Sequence, residues 1–74
     1  MKVEFIRNYA KINNKDIISL RSIDYIWEED IGDLQTFRVL IRTIDNLEIL
    51  IQCDNEQEAD TYINMFFEYL KFQN

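Results

Sequence analysis

Apolar and polar residues alternate in two consecutive segments of the second half of the chain. Phe37, Val39, Ile41 and Thr43 form one series, and Leu47, Ile49, Ile51 and Cys53 form the other. Side chains of a β-strand point alternately to the two faces of a sheet, so each series marks one face. Asp45 and Asn46 separate the segments, and a short polar break of this kind is typical of a β-hairpin, although the usual glycine is lacking. The pattern predicts antiparallel strands over residues 35–43 and 47–53.

Two earlier segments also have the character of strands. Residues 2–7 place Val3 and Phe5 between charged neighbours, and residues 22–29 are rich in the β-branched and aromatic side chains that suit a pleated surface. Sequential strands joined by short loops are usually antiparallel neighbours. We therefore expect a meander of four to five strands. Whether residues 17–20 form a further strand stays open.

A helix is predicted over residues 55–72. Asn55 and Glu58 have the spacing of a capping box, Asp54 with Gln57 would serve equally as the cap, and acidic residues in the first turn complement the helix dipole. One apolar stripe at helical spacing follows, formed by Ala59, Ile63, Phe66 and Leu70. The expected fold is α+β: a single domain, residues 1–74, with one antiparallel sheet and one C-terminal helix packed on one face.

The helix carries more apolar residues than this one stripe. Tyr62, Met65, Tyr69 and Phe72 lie on a second flank. Large apolar patches on a soluble protein often mark contact sites, so this flank is a candidate interface with a second copy or another protein. A wide intramolecular core is the alternative.

Composition restricts the partners and the location of the protein. The chain has 74 residues with 14 acidic and 8 basic side chains, a net charge of −6. The phosphates of nucleic acids and anionic lipids carry the same sign, so direct binding to either is not expected. No apolar run approaches the about 20 residues of a membrane span, and a single cysteine fits a reducing compartment. We expect a cytoplasmic protein.

Catalytic motifs are lacking. The sequence contains no histidine and one glycine, which excludes serine–histidine hydrolases and glycine-rich phosphate loops. Cys53 ends an alternating segment, where a free cysteine usually behaves as a small buried apolar residue. We expect no enzyme activity, no cofactor and no metal site.

Two charged groups are candidate binding residues. Glu28, Glu29, Asp30 and Asp33 form an acidic loop, whose spacing does not match an EF-hand and which is instead a candidate surface for a basic partner. Arg38 and Arg42 lie on one face of their strand. Cross-strand pairing with acids is the favoured interpretation of both arginines, and anion binding in an oligomer is a weaker hypothesis.

Aromatic residues in the middle of the chain, Tyr25, Trp27 and Phe37, are expected to pack in the core. The leading functional hypothesis is a small acidic, non-catalytic protein-interaction module that self-associates. One alternative is an acidic inhibitor that blocks a basic nucleic-acid-binding surface of another protein, as phage proteins directed against bacterial defence do. It would use the acidic loop together with the acids near the helix start, Asp54, Glu56, Glu58 and Asp60. The other is an oligomer that binds a small anion such as a nucleotide.

Overall fold

The computed structural model describes residues 2–30 and 37–71, and it confirms an α+β fold. Within these ranges the strands are β1 (Val3–Ile6), β2 (Tyr9–Ile12), β3 (Asp16–Ser19), β4 (Ile23–Asp30), β5 (Phe37–Thr43) and β6 (Glu48–Cys53), followed by helix α1 (Glu56–Leu70). A short 3-10 turn, Leu20–Ser22, joins β3 to β4. The single four- to five-stranded sheet predicted from the sequence is wrong in detail, because the strands form two antiparallel sheets: β1-β2-β3 (sheet 1) and β4-β5-β6 (sheet 2).

Sheet 1 is built from strands of four residues joined by tight turns. Arg7 turns the chain between β1 and β2 at φ 55°, and Asn13 and Asn14 do so between β2 and β3 at φ 54° and 64°. Asparagine tolerates this left-handed conformation better than most residues, so the β2–β3 turn forms without glycine, whereas Arg7 takes it without that advantage. The open question about residues 17–20 is thereby answered: the first three belong to β3, and Leu20 begins the 3-10 turn.

Sheet 2 contains the hairpin predicted from the alternating segments. Asn46 takes φ 69° in the turn, and the hydroxyl of Thr43 accepts a hydrogen bond of 3.1 Å from the backbone N–H of Leu47. Strand β4 pairs with β5 on the other side, with a register shift between Ile23 and Tyr25. The predicted β4 lies one residue too early at both ends, and the predicted β6 begins one residue too early. Residues 35, 36 and 72 of the predicted elements lie outside the described ranges.

The helix begins as its sequence predicts. Asn55 is the N-cap, and its side chain accepts a hydrogen bond of 2.9 Å from the backbone N–H of Glu58. The fully or nearly buried positions of α1 are Ala59, Tyr62 and Phe66. Phe66 also meets Phe5 of sheet 1 edge to face, with ring centroids 5.0 Å apart. The helix therefore contacts both sheets, and the core lies among all three elements.

One edge of sheet 2 is covered by side chains from the beginning of the chain. The ammonium group of Lys2 donates to the backbone oxygen of Gln52, and the amide of Asn13 donates to the backbone oxygen of Leu50 at 2.7 Å. These carbonyls belong to β6, which has a neighbouring strand on one side only. Polar side chains thus occupy carbonyls that would otherwise be open to another strand.

Candidate interaction surface

The predicted interface flank of the helix is largely used inside the chain. Tyr62 is only 6% exposed and belongs to the core, so its ring is not presented to a partner, and Met65 packs against the same core. The ring of Tyr69 stacks on Phe5 but stays 42% exposed. Phe72 lies outside the described residues. Tyr62, Met65 and part of Tyr69 are covered because sheet 1 packs on a side of the helix that a single sheet would leave exposed.

Apolar surface is instead exposed on the outer face of sheet 2, the face turned away from the helix. Ile26 and Glu28 of β4 stand opposite the buried Ile41 and Val39 and share their inner face. Because neighbours along a strand alternate, Tyr25 and Trp27 point outward. Both are exposed, and their rings stack with centroids 5.8 Å apart. The expectation that these two rings pack in the core is therefore wrong, whereas Phe37 does pack against the core.

A single row of side chains crosses this outer face. Trp27 stands opposite Leu40 of β5, and Leu40 stands opposite Leu50 of β6. Trp27 is 51% exposed, Leu50 is exposed and Leu40 is half-buried. Side chains directly opposite each other on adjacent strands are in contact distance, so the three residues make one apolar row across the sheet. We call this row the Trp27 row.

Arginine and acidic side chains flank the Trp27 row. Arg38 makes two hydrogen bonds to one carboxylate oxygen of Glu29, the shorter at 3.0 Å. Arg42 lies 3.9 Å from the carboxylate of Asp24, and its guanidinium sits 4.9 Å from the centre of the Tyr25 ring. The cross-strand pairing favoured by the sequence is thus present. Both arginines have nearby acids, which leaves less uncompensated positive charge for an anion.

The acidic residues predicted to bind a partner do not form one surface in the structure. Glu29 pairs with Arg38, Asp30 ends β4, and Asp33 lies outside the described residues. Glu28 points to the inner side of the sheet and meets two acids of the first helical turns. Glu56 and Asp60 belong to the same acidic inhibitor hypothesis as Glu28, but the linear order does not indicate that the three carboxylates lie close together.

This cluster of Glu28, Glu56 and Asp60 concentrates negative charge. One carboxylate oxygen from each residue lies within 4.8 Å of those of the other two. The pKa of Glu28 is raised from 4.5 to about 6, first by a hydrogen bond with Asp60, then by burial and by the charges of Asp60 and Glu56. Carboxylates are ligands for hard cations, yet exposed acids often cluster without one. The chemical property that follows is an affinity for positive charge.

Cys53 occupies an interior position at the end of β6. Its side chain is buried, and burial is the main cause that raises the pKa of the thiol, with Glu58 adding to it. The thiolate is the nucleophilic form of cysteine, so a raised pKa lowers reactivity. The described ranges contain no pocket beside it. Cys53 therefore serves the packing of the core.

No protein-family model, curated protein or solved structure matches this chain. None of the helical residues that the structure describes forms a segment long and apolar enough to cross a membrane.

Proposed function

We propose that this protein is a small acidic, non-catalytic protein-interaction module that self-associates through the outer face of sheet 2. The observation that supports the proposal is the Trp27 row, in which apolar side chains stand in register on three adjacent strands, with Trp27 and Leu50 exposed and Leu40 half-buried. Tryptophan is the residue type most enriched among the side chains that dominate binding energy at protein interfaces. An exposed tryptophan at the end of a row that continues with two leucines, bordered by charged residues, has the layout of a contact surface.

Charge favours a second copy as the occupant of this face. The whole chain carries a net charge of −6, so two copies repel each other over most orientations. The outer face of sheet 2, by contrast, holds Arg38 and Arg42 against Glu29 and Glu48, with Asp24 at its border. This near balance makes it the face on which two acidic molecules approach with little repulsion.

The size of the face sets the strength of the expected dimer. Strands spaced about 4.8 Å apart and rising about 3.3 Å per residue give three strands of seven residues a footprint of about 14 by 23 Å. Such a footprint is small beside the about 800 Å² per partner of a standard stable interface. We expect a reversible dimer with a dissociation constant in the micromolar range.

Sedimentation equilibrium over about 10 to 500 µM, the range in which weak interfaces dissociate, tests the proposal. The wild type should show a concentration-dependent dimer, and Trp27→Glu should abolish it by placing a charge in the Trp27 row. Phe67→Glu is the matched control, because Phe67 is 52% exposed on the helix and remote from this face in the fold. A wild type that stays monomeric throughout contradicts self-association. Dimer loss in Phe67→Glu with retention in Trp27→Glu would move the interface to the helix.

A further inference from the structure

The two edges of sheet 2 differ in how far other parts of the chain cover them. The β6 edge is covered by Lys2 and Asn13, and its inward residues are closed off, with Ile51 at 0% exposure. Strand β4 forms the other edge, and within residues 2–30 and 37–71 no backbone hydrogen bond joins β4 to a strand beyond it. Its inward residues Ile26 and Glu28 are only half-buried. The core is therefore less closed on the side of β4.

An edge of this kind has main-chain groups available for one more strand. Partner proteins use such edges by adding an extended segment, whose backbone hydrogen bonds give affinity and whose alternate side chains give specificity. Strand β4 is eight residues long, the longest of the six described strands. A segment of similar length can pair along it.

The charge of β4 determines which segment can pair. The strand carries four acids and no basic residue, in the order Asp24, Glu28, Glu29 and Asp30. Two copies of β4 aligned antiparallel about their midpoint bring Asp24 opposite Glu29 of the other copy. Like charges directly opposite each other destabilise a sheet, so a second copy is a poor occupant of this edge.

The inner side of the same edge holds the cluster of Glu28, Glu56 and Asp60. These three carboxylates are crowded, and a cation placed among them relieves their mutual repulsion. On an added strand, every second side chain points to this inner side. Lysine or arginine at those positions reaches the cluster, while the residues between them lie on the outer side next to Tyr25 and Trp27.

We propose that the β4 edge binds, by β-strand addition, an extended segment of a partner protein that carries lysine or arginine at every second position. The backbone of β4 supplies the hydrogen bonds, and Glu28, Glu56 and Asp60 select the basic side chains. The open main-chain edge of β4 is a different feature from the outer face on which self-association is proposed, but the two adjoin at Trp27, so peptide binding is measured on the monomer and each proposal is tested separately. The competing explanation is that the acids only protect the edge from pairing with other molecules.

A capped eight-residue peptide that alternates lysine and valine, matched to the length of β4, is the probe. It is titrated into the full-length protein by calorimetry and by NMR of the backbone amides, at a concentration at which the protein is monomeric. We expect amide shifts centred on β4, and an affinity that falls at least about tenfold between about 50 and 500 mM salt. A second peptide of the same sequence with N-methylated backbone amides keeps the lysine charges but cannot donate the main-chain bonds in either strand orientation, and it should bind at least about fivefold more weakly.

Two protein variants complete the test. Glu28→Gln should weaken binding of the lysine–valine peptide about fivefold, whereas Glu48→Gln, which removes an acid from the exposed outer face of β6, should change it less than twofold. Equal binding of the N-methylated peptide, or shifts spread over the surface without focus on β4, would show charge attraction alone and overturn strand addition. No binding at low salt would leave edge protection as the role of the acids.

Discussion

The rings of Phe5 and Tyr69 stack face to face, with centroids 4.0 Å apart and planes inclined by 6°. One ring comes from the first strand and the other from the last full turn of the helix, so the pair attaches the end of α1 to sheet 1. This contact explains why a flank of the helix that looks surplus in the sequence is partly covered in the fold. Phe67, two residues earlier, has no such ring partner among the described residues.

Removing the Tyr69 ring should therefore destabilise the protein. Tyr69→Ala is expected to lower the free energy of unfolding by about 2 kcal/mol, since it removes an aromatic pair and part of the buried area of the ring. Phe67→Ala should cost less than about 0.5 kcal/mol, because that ring is mostly in water. Urea unfolding followed by circular dichroism measures both. Equal losses in the two variants would contradict the assigned role of the stacked pair.

Asn13 and Asn14 provide a matched pair for testing the covered β6 edge. Both have positive φ, a conformation that glycine adopts without strain. Only Asn13 also donates to the backbone oxygen of Leu50. We expect Asn13→Gly to cost about 1 kcal/mol through the lost hydrogen bond, and Asn14→Gly to be neutral or slightly stabilising.

The measurement is again denaturant unfolding, combined with light scattering at high protein concentration. Exposure of the Leu50 carbonyl in Asn13→Gly should increase association at the β6 edge. If Asn14→Gly is the more damaging substitution, the contact between the β2–β3 turn and β6 does not stabilise the fold.

Glu28 should make stability depend on pH. Its pKa is about 6 in the folded protein against 4.5 ordinarily, so the folded state binds its proton more tightly. The stability contributed by this proton is fully present below pH 4.5 and is lost as the pH rises through about 6. Glu28→Gln removes the repulsion, and at pH 7 it should be more stable than the wild type by less than about 1 kcal/mol, since solvent screens this half-buried group.

Thermal unfolding of both proteins between pH 4 and 8, a range that brackets about two units on either side of the raised pKa, checks this expectation. The advantage of Glu28→Gln should shrink as the pH falls. Asp60→Asn is the companion variant: NMR titration of the Glu28 side chain should then give a lower pKa, because Asp60 is the first cause of its rise. A constant difference between wild type and Glu28→Gln over the whole range would contradict the coupling.

Cys53 should resist thiol reagents until the protein opens. Burial shields the sulfur and raises its pKa, which lowers the fraction of reactive thiolate. Labelling with a chromogenic disulfide at pH 8, near the ordinary pKa of a free thiol of about 8.5, should be at least about a hundredfold slower than labelling of the urea-unfolded chain. Rapid labelling of the folded protein would place the thiol at the surface.

The parts of the fold that could be predicted from the sequence are those with local signals. The hairpin of β5 and β6 has period-two alternation on both sides of a polar break, and the helix start is determined by Asn55 and Glu58, which lie within one turn of each other. Each of these features depends on residues close together in the chain. Boundaries accordingly agree within about two residues.

Other features depended on contacts that no local pattern contains. Alternation in β4 shows that Tyr25 and Trp27 share a face, but it does not show whether that face points inward. Tyr62 belongs to the core because sheet 1 packs against the helix. The sequence predicts β1 of this sheet, but β2 and β3, only four residues long, carry too little alternation to be predicted. Glu28 and Asp60 lie close together in the fold although they are 32 positions apart in the sequence. Tertiary placement, rather than propensity, decided each of these.

The contacts between Lys2 and the helix determine when β1 can complete its packing during synthesis. Its backbone N–H donates to the hydroxyl of Tyr62 at 3.4 Å, a residue 60 positions later, and its ammonium group lies 3.8 Å from Glu58. A ribosome that adds about 5 to 20 residues per second needs about 3 to 12 s to travel from one partner to the other. Throughout that interval the first strand has been synthesised without the helix that completes its packing, so β1 can reach its final contacts only after residue 62 has been added.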